Sequence, residues 1–224
     1  MEFVITHLTR MEFPNICVAG IDLGTLENVR LVLPYPKAFT YFLHSSHGGP
    51  LELYERLRIT MTTPKGRAPE SEDHEIYLGH IRPLGRMDYR EVWQLLSQKA
   101  KADICSIFGP TLEKTRSTYS SPAGIGNVSL GFLRPRYMVK LFVRQIEDRT
   151  KLALSYQESG NRFALPVSDV RLHELSDGFP VNKEAVYQMN RRIESARTVI
   201  LSVGLTRPWA DRHWLQVNGI HIAP

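Results

Sequence analysis

Apolar and polar positions alternate with a period of two over most of the chain, the pattern of half-buried β-strands. Short β-branched and apolar runs at 2–8 (EFVITHL), 15–22 (NICVAGID) and 28–34 (NVRLVLP) are separated by Pro, Gly, Asn and Asp. Further runs at 53–63 and 75–84 follow a Pro- and Gly-bounded connection at 34–50. The segment 64–73 (PKGRAPESED) is polar and rich in turn residues, which predicts an exposed loop. The runs are too short and the turns too tight for βαβ units, so a curled antiparallel sheet is expected.

The period then changes. Asp88 followed by Glu91 resembles a capping box, and Tyr89, Val92, Trp93 and Leu96 follow at helical spacing, predicting a helix near 88–102 with one core-facing stripe. Residues 115–127 (TRSTYSSPAGIGN) are the best domain boundary in the chain. Beyond it the plan repeats, with strands at 129–135, 137–146, 151–157 and 162–172. A helix near 182–196 then presents Val186, Met189, Ile193 and Ala196 on one face, and strands at 198–205 and 213–222 close the chain. The expected fold is mainly β with two helices. Two small OB-like barrels, 1–117 and 125–224, are packed in tandem, each a few short strands with one helix. SH3-like barrels fit the pattern as well. Leu-Thr-Arg occurs at 8–10 and again at 205–207, each time near a strand, an echo that fits duplication.

THLTRM followed by ICVAGID and VRLVLP resembles the opening of bacterial dual OB-containing domain proteins, and SVGLTRPW with HWLQVNGI resembles their closing hairpin. The resemblance spans nearly the whole chain. It implies two OB-like barrels in one unit, a prokaryotic origin and a setting in a mobile-element or anti-phage defence locus. Its motifs are not catalytic signatures, so it implies more about fold than about activity.

Charge changes the picture by distinguishing the halves. Net charge is +5; residues 1–120 carry 14 basic and 14 acidic side chains, and residues 121–224 carry 14 and 9. The excess therefore lies in the second half, which suggests that this half meets a polyanion; a merely solvated surface is the equal alternative. Cys17 and Cys105 sit in apolar settings and form neither a disulfide framework nor a zinc motif. No secretory leader and no membrane-length apolar run is recognised, so a cytoplasmic location is expected.

Candidate binding residues lie in the basic half. Alternation in 137–146 places Val139, Leu141 and Val143 on one strand face and Lys140, Phe142 and Arg144 on the other. Two cations with a ring between them can neutralise phosphates and stack a base; the alternative is an outer face with Phe142 tucked under a neighbour. In the last strand Trp214, Gln216 and Asn218 oppose His213, Leu215 and Val217, and Trp214 serves equally well as a barrel plug. The connection 206–212 bunches Thr206, Arg207, Trp209 and Arg212, with an Arg207–Asp211 pair as the structural alternative. Thr9 and Arg10, with Arg134 and Arg136, form a secondary patch; the first two occupy the matching place in the N-terminal hairpin.

No metal site is expected from His44 and His47, whose spacing alone is weak, and no cofactor motif or hydrolase, kinase or P-loop signature occurs. The reading is a non-catalytic module that binds nucleic acid, single-stranded DNA or RNA. An adaptor subunit whose partner protein docks on the neutral N-terminal half is the alternative. A small-nucleotide sensor or unrecognised enzyme is a third, with a pocket near Tyr35, Lys37, Tyr41, His44 and His47.

Overall fold

The computed structural model describes residues 1–115, 118–146 and 149–224. The chain forms β1 (Glu2–Arg10), β2 (Ile16–Asp22), β3 (Asn28–Val32), β4 (Glu55–Ile59), β5 (Thr62–Pro64), β6 (Asp73–Ile76) and β7 (Ile81–Arg86). These make one seven-stranded sheet in the order β5-β6-β3-β2-β1-β4-β7. All its pairings are antiparallel except β3 with β6. Helix α1 (Tyr89–Lys99) and the single turn α2 (Cys105–Phe108) follow. Then come β8 (Glu113–Lys114), β9 (Tyr119–Pro122), β10 (Leu130–Leu133), β11 (Lys140–Ile146), β12 (Arg149–Glu158) and β13 (Asn161–Pro166). Helix α3 (Lys183–Ser195) precedes β14 (Val199–Leu205) and β15 (Arg212–Ile222). A five-stranded sheet, β10-β14-β15-β9-β8, takes its edge strand β8 from before residue 117, and a three-stranded sheet, β11-β12-β13, lies in the second half. The architecture is mainly β, with curled sheets of the tandem OB-like kind.

Both expected helices form where capping chemistry starts them. The Asp88 carboxylate accepts from the Arg90 amide at 2.8 Å, and the Asn182 side chain accepts from the Ala185 amide at 2.9 Å. Their apolar stripes face inward: Val92, Leu95 and Leu96 in α1, and Val186, Met189 and Ile193 in α3. The four-residue α2 is a third helix that no periodicity announces.

Two apolar cores lie beneath the sheets. The first gathers Phe3, Ile5, Leu8, Leu57, Val92 and Leu96, and also takes Phe132, Val170, Phe179 and Ile200 from the second half. The other gathers Leu141, Leu154, Leu165, Val203, Leu215 and Val217, and takes Ile104, Phe108 and Leu112 from before residue 115. Hydrogen bonds also join the halves. The Tyr54 hydroxyl meets His221 Nδ1 at 2.9 Å, and the Tyr89 hydroxyl donates to the Ile222 carbonyl at 2.6 Å. Residue 117, the expected end of the first barrel, lies outside the described residues.

Two local expectations are corrected. The segment 64–73 is not an exposed loop throughout. Pro64 ends β5, Asp73 begins β6, and Glu70, Glu72 and Asp73 are buried. Their charges are matched by arginines and amides that arrive from elsewhere in the chain, which composition does not reveal. Val139, just before β11, and Leu141 within it are buried as alternation requires, whereas Val143 is 38% exposed, so the buried face ends at Leu141.

Candidate functional site

A β-bulge decides which side chains of β1 leave the side of the first core. Ile5 pairs with Gly20, but His7 pairs with Ala19, so Thr6 is an extra residue. Without it, His7 and Thr9 would share the core-facing side of Phe3 and Ile5. With it, Leu8 returns to the core, while His7 and Thr9 turn to the opposite face, a usual role of bulges near functional surfaces. Cross-strand registry extends that face as a row His7–Ala19–Arg30, with Thr9 beside Cys17.

This face forms one wall of a cleft of about 750 Å³ between the halves. Thr206 and Arg207, just past β14, and Gln216 and Asn218, midway along β15, line it from the other side, and Tyr35 and Lys37 contribute from the 34–50 connection. The two Leu-Thr-Arg segments thus bring Thr9 with Arg10 and Thr206 with Arg207 to a single cleft from opposite halves. Most of the remaining lining is apolar, including Met11, Val32, Leu33 and Leu205.

The arginines of the cleft differ in how their charge is held. Arg30 pairs with Asp73 Oδ1 at 3.1 Å and also bonds the Ser129 hydroxyl. Arg207 reaches Asp73 Oδ2 at 2.5 Å and Glu70 Oε1 at 3.4 Å, not Asp211. Burial works against the Arg207 charge, yet the neighbouring Asp73 and Glu70 outweigh it and raise the pKa. Glu72 accepts from the amides of Ser129 and Leu130 at 2.7 and 2.9 Å. Arg10 is held by a neutral group instead. Its Nε donates to His173 Nε2 at 2.9 Å, while His173 Nδ1 lies 3.0 Å from the Asp169 carbonyl. A carbonyl can only accept, so Nδ1 carries the proton and Nε2 is free to accept. Burial, chiefly, lowers the His173 pKa to about 4, which keeps that ring neutral at physiological pH.

Two buried polar atoms on the cleft-lining residues, His7 Nε2 and Thr9 Oγ1, have no hydrogen-bond partner among the described residues. His7 Nδ1 meets the Thr6 hydroxyl at 2.8 Å, and burial with the nearby Arg30 charge lowers the ring's pKa to about 3. The Asn218 Oδ1 accepts from Gln216 Nε2 at 2.9 Å. Gly204 leaves room for that amide, since a β-carbon there would lie 2.3 Å from Asn218 Nδ2.

The face of β15 runs out of the cleft to an aromatic pair. Leu215 and Val217 are buried, and Trp214 and Gln216 lie on the more open side. At the hairpin tip, Trp209 and Arg212 exchange backbone hydrogen bonds, and Ala210 and Asp211 both have positive φ, the geometry of a two-residue primed turn. Trp209 is 72% exposed, with its ring centroid 6.4 Å from that of Trp214. Trp214 Nε1 donates to the Trp209 carbonyl at 3.2 Å, so Trp214 is a strand-face residue and not a barrel plug. Arg212 is held by the Ser120 hydroxyl at 2.9 Å and by Glu113.

The other candidates lie elsewhere. Lys140, Phe142 and Arg144 share the outer side of β11 in the three-stranded sheet, and none lines the cleft. Arg134 donates to the Ser97 carbonyl at 3.2 Å, and Arg136 borders a second, smaller hollow with Asp103, Cys105 and Glu158. Sequence reasoning missed His7 and Arg30 in the cleft lining and the buried His173 that holds Arg10, because a bulge and long-range bonds place them there. Among the described residues, no three His, Cys, Asp or Glu side chains gather to hold a metal ion, and no helix is long and apolar enough to cross a membrane.

The family model described as the dual OB-containing domain matches residues 1–220. No curated protein matches the chain.

Proposed function

The chain belongs to the dual OB-containing domain family, and from that premise we propose that it binds single-stranded nucleic acid along the outer face of β15. The observation that carries this reading is the Trp209–Trp214 pair, with one indole largely in solvent on a surface that continues through Gln216 into the cleft. Exposed indoles supply sequence-tolerant stacking platforms, each worth about 1–3 kcal/mol per base. The neighbouring amides suit base edges, and the basic second half supplies the long-range attraction for a polyanion. Arg207 and Arg212 are already paired with carboxylates, so phosphate contact falls mainly to Arg10 and Lys37 at the cleft and to Lys140 on the adjoining sheet. Stacking is tested by titrating the protein with unlabelled oligonucleotide and following tryptophan emission. Quenching that disappears in Trp209→Ala supports the reading; unchanged emission at saturating oligonucleotide contradicts it. Service in a bacterial defence or mobile-element system belongs to the same proposal and is tested by phage challenge of a deletion strain, where unaltered sensitivity counts against it.

A further inference from the structure

Arg10 sits in the cleft in an unusual electrostatic position. Every other arginine lining the cleft is matched by a carboxylate: Arg30 by Asp73, and Arg207 by Asp73 and Glu70. Among the described residues Arg10 has no ion pair; its only side-chain bond runs from Nε to a neutral imidazole, which leaves both terminal nitrogens of the guanidinium for other partners. The fork of two adjacent N–H groups is the arrangement that grips a phosphate bidentately. Lys37, exposed on the 34–50 connection, adds a second cation to the same lining.

The rest of the lining fits an organic body attached to that anion. Met11, Val32 and Leu33, which keep some exposure, give apolar walls. His7 Nε2 and Thr9 Oγ1, both on nearly inaccessible side chains and both unpartnered, are polar groups whose burial carries a cost unless a ligand meets them. An apolar concavity of this volume with a few convergent polar groups is the usual form of a small-molecule site.

We propose that the cleft is a receptor for one phosphorylated nucleotide unit, with Arg10 as its phosphate anchor. This rests on the single-strand reading and sharpens it: a strand stacked on Trp209 and Trp214 would deliver its phosphorylated end into the cleft. The same chemistry is met by a free nucleoside monophosphate, and the experiment separates the two sources.

Affinities are measured by fluorescence anisotropy for labelled single-stranded oligonucleotides bearing a 5′-phosphate, a 3′-phosphate or hydroxyls at both ends, and by calorimetry for the four nucleoside monophosphates and inorganic phosphate. The expected result is at least a tenfold preference for one phosphorylated end, or for a monophosphate over inorganic phosphate. Arg10→Gln and Lys37→Ala each reduce that preference. Trp209→Ala weakens all oligonucleotides alike and leaves the end preference intact. End preference without monophosphate binding identifies the strand terminus as the ligand; the reverse identifies a free nucleotide. If the three oligonucleotides bind equally and no monophosphate binds at millimolar concentration, the cleft proposal is overturned while strand binding on β15 stands. A preference that persists unchanged in both Arg10→Gln and Lys37→Ala overturns the assignment of the anchor.

Discussion

Arg10 Nε donates to His173 Nε2 at 2.9 Å across 163 positions of sequence. The bond fixes the guanidinium without cancelling its charge, because the ring is neutral and its own proton lies toward the Asp169 carbonyl. It also requires that the ring stay neutral, so it makes this corner of the molecule sensitive to acid.

His173 shares that requirement with two other buried histidines. Burial is the leading cause in each case: it lowers His7 to about 3 and His173 to about 4, and it holds His221 well below the usual range. Each unfolded ring takes up a proton near pH 6.5 while its folded counterpart does not. Stability is therefore full above that pH and is lost as pH falls from 6.5 toward 4. Three such groups give a slope that steepens as pH falls and approaches about 4 kcal/mol per pH unit near pH 5, from about 1.4 per group. Urea midpoints at pH 7.5, 6.0 and 5.0 are expected to fall steeply between the last two. A flat profile would contradict the neutral-ring description.

Asp73 is the shared carboxylate of Arg30 and Arg207, and Arg30 is only 5% exposed. Asp73→Asn leaves a buried guanidinium uncompensated, a change that costs about 3–5 kcal/mol when one partner of a buried pair is removed. Chemical denaturation of the variant is expected to show that loss. Substitution of the exposed Lys65, whose contact with Glu75 is at 3.8 Å, is expected to change stability by less than about 1 kcal/mol.

The sharing of core side chains between halves predicts one unfolding transition, not two. Phe132 belongs to the second half of the sequence but is buried at 1% exposure in the first core. Phe132→Ala should cost about 3–5 kcal/mol and move the whole transition, with tryptophan emission and far-ultraviolet dichroism remaining coincident. Two separated transitions would show that each half is stable by itself.

Gly204 stands opposite Gln216 in β14–β15 and next to the Asn218 amide. Gly204→Ala places a methyl where Asn218 Nδ2 lies, so the amide must turn and its bond with Gln216 is lost. The predicted stability cost is about 1–3 kcal/mol, as for other overpacked sites, with a loss of oligonucleotide affinity of roughly tenfold. Unaltered affinity would exclude the Asn218–Gln216 pair from the binding surface.

Much of the fold was legible because local chemistry agreed with the final structure. Asp88 and Asn182 start the helices, apolar stripes at helical spacing become their buried faces, and alternation in β15 separates Leu215 and Val217 from Trp214 and Gln216. The Leu-Thr-Arg echo also carried information, since both copies reach one cleft. What escaped had causes outside any local window. The extra residue Thr6 reverses the facing of His7 and Thr9, and a period-two pattern contains no sign of such a shift. Glu70 and Asp73 looked like loop charges because their partner Arg207 lies 134 or more positions away. The Lys140–Phe142–Arg144 face was readable as a strand face, but which sheet it joins is a matter of topology, and it belongs to β11-β12-β13 beside the cleft-bearing sheets.

The central claim, binding of single-stranded nucleic acid, is tested most directly by anisotropy of a labelled single-stranded 20-mer titrated with protein across a salt series. The account predicts micromolar or tighter binding at low salt, affinity that falls linearly on a log–log salt plot, and at least a tenfold loss in Trp209→Ala. No binding at micromolar protein in low salt, or binding indifferent to both salt and Trp209, would contradict it.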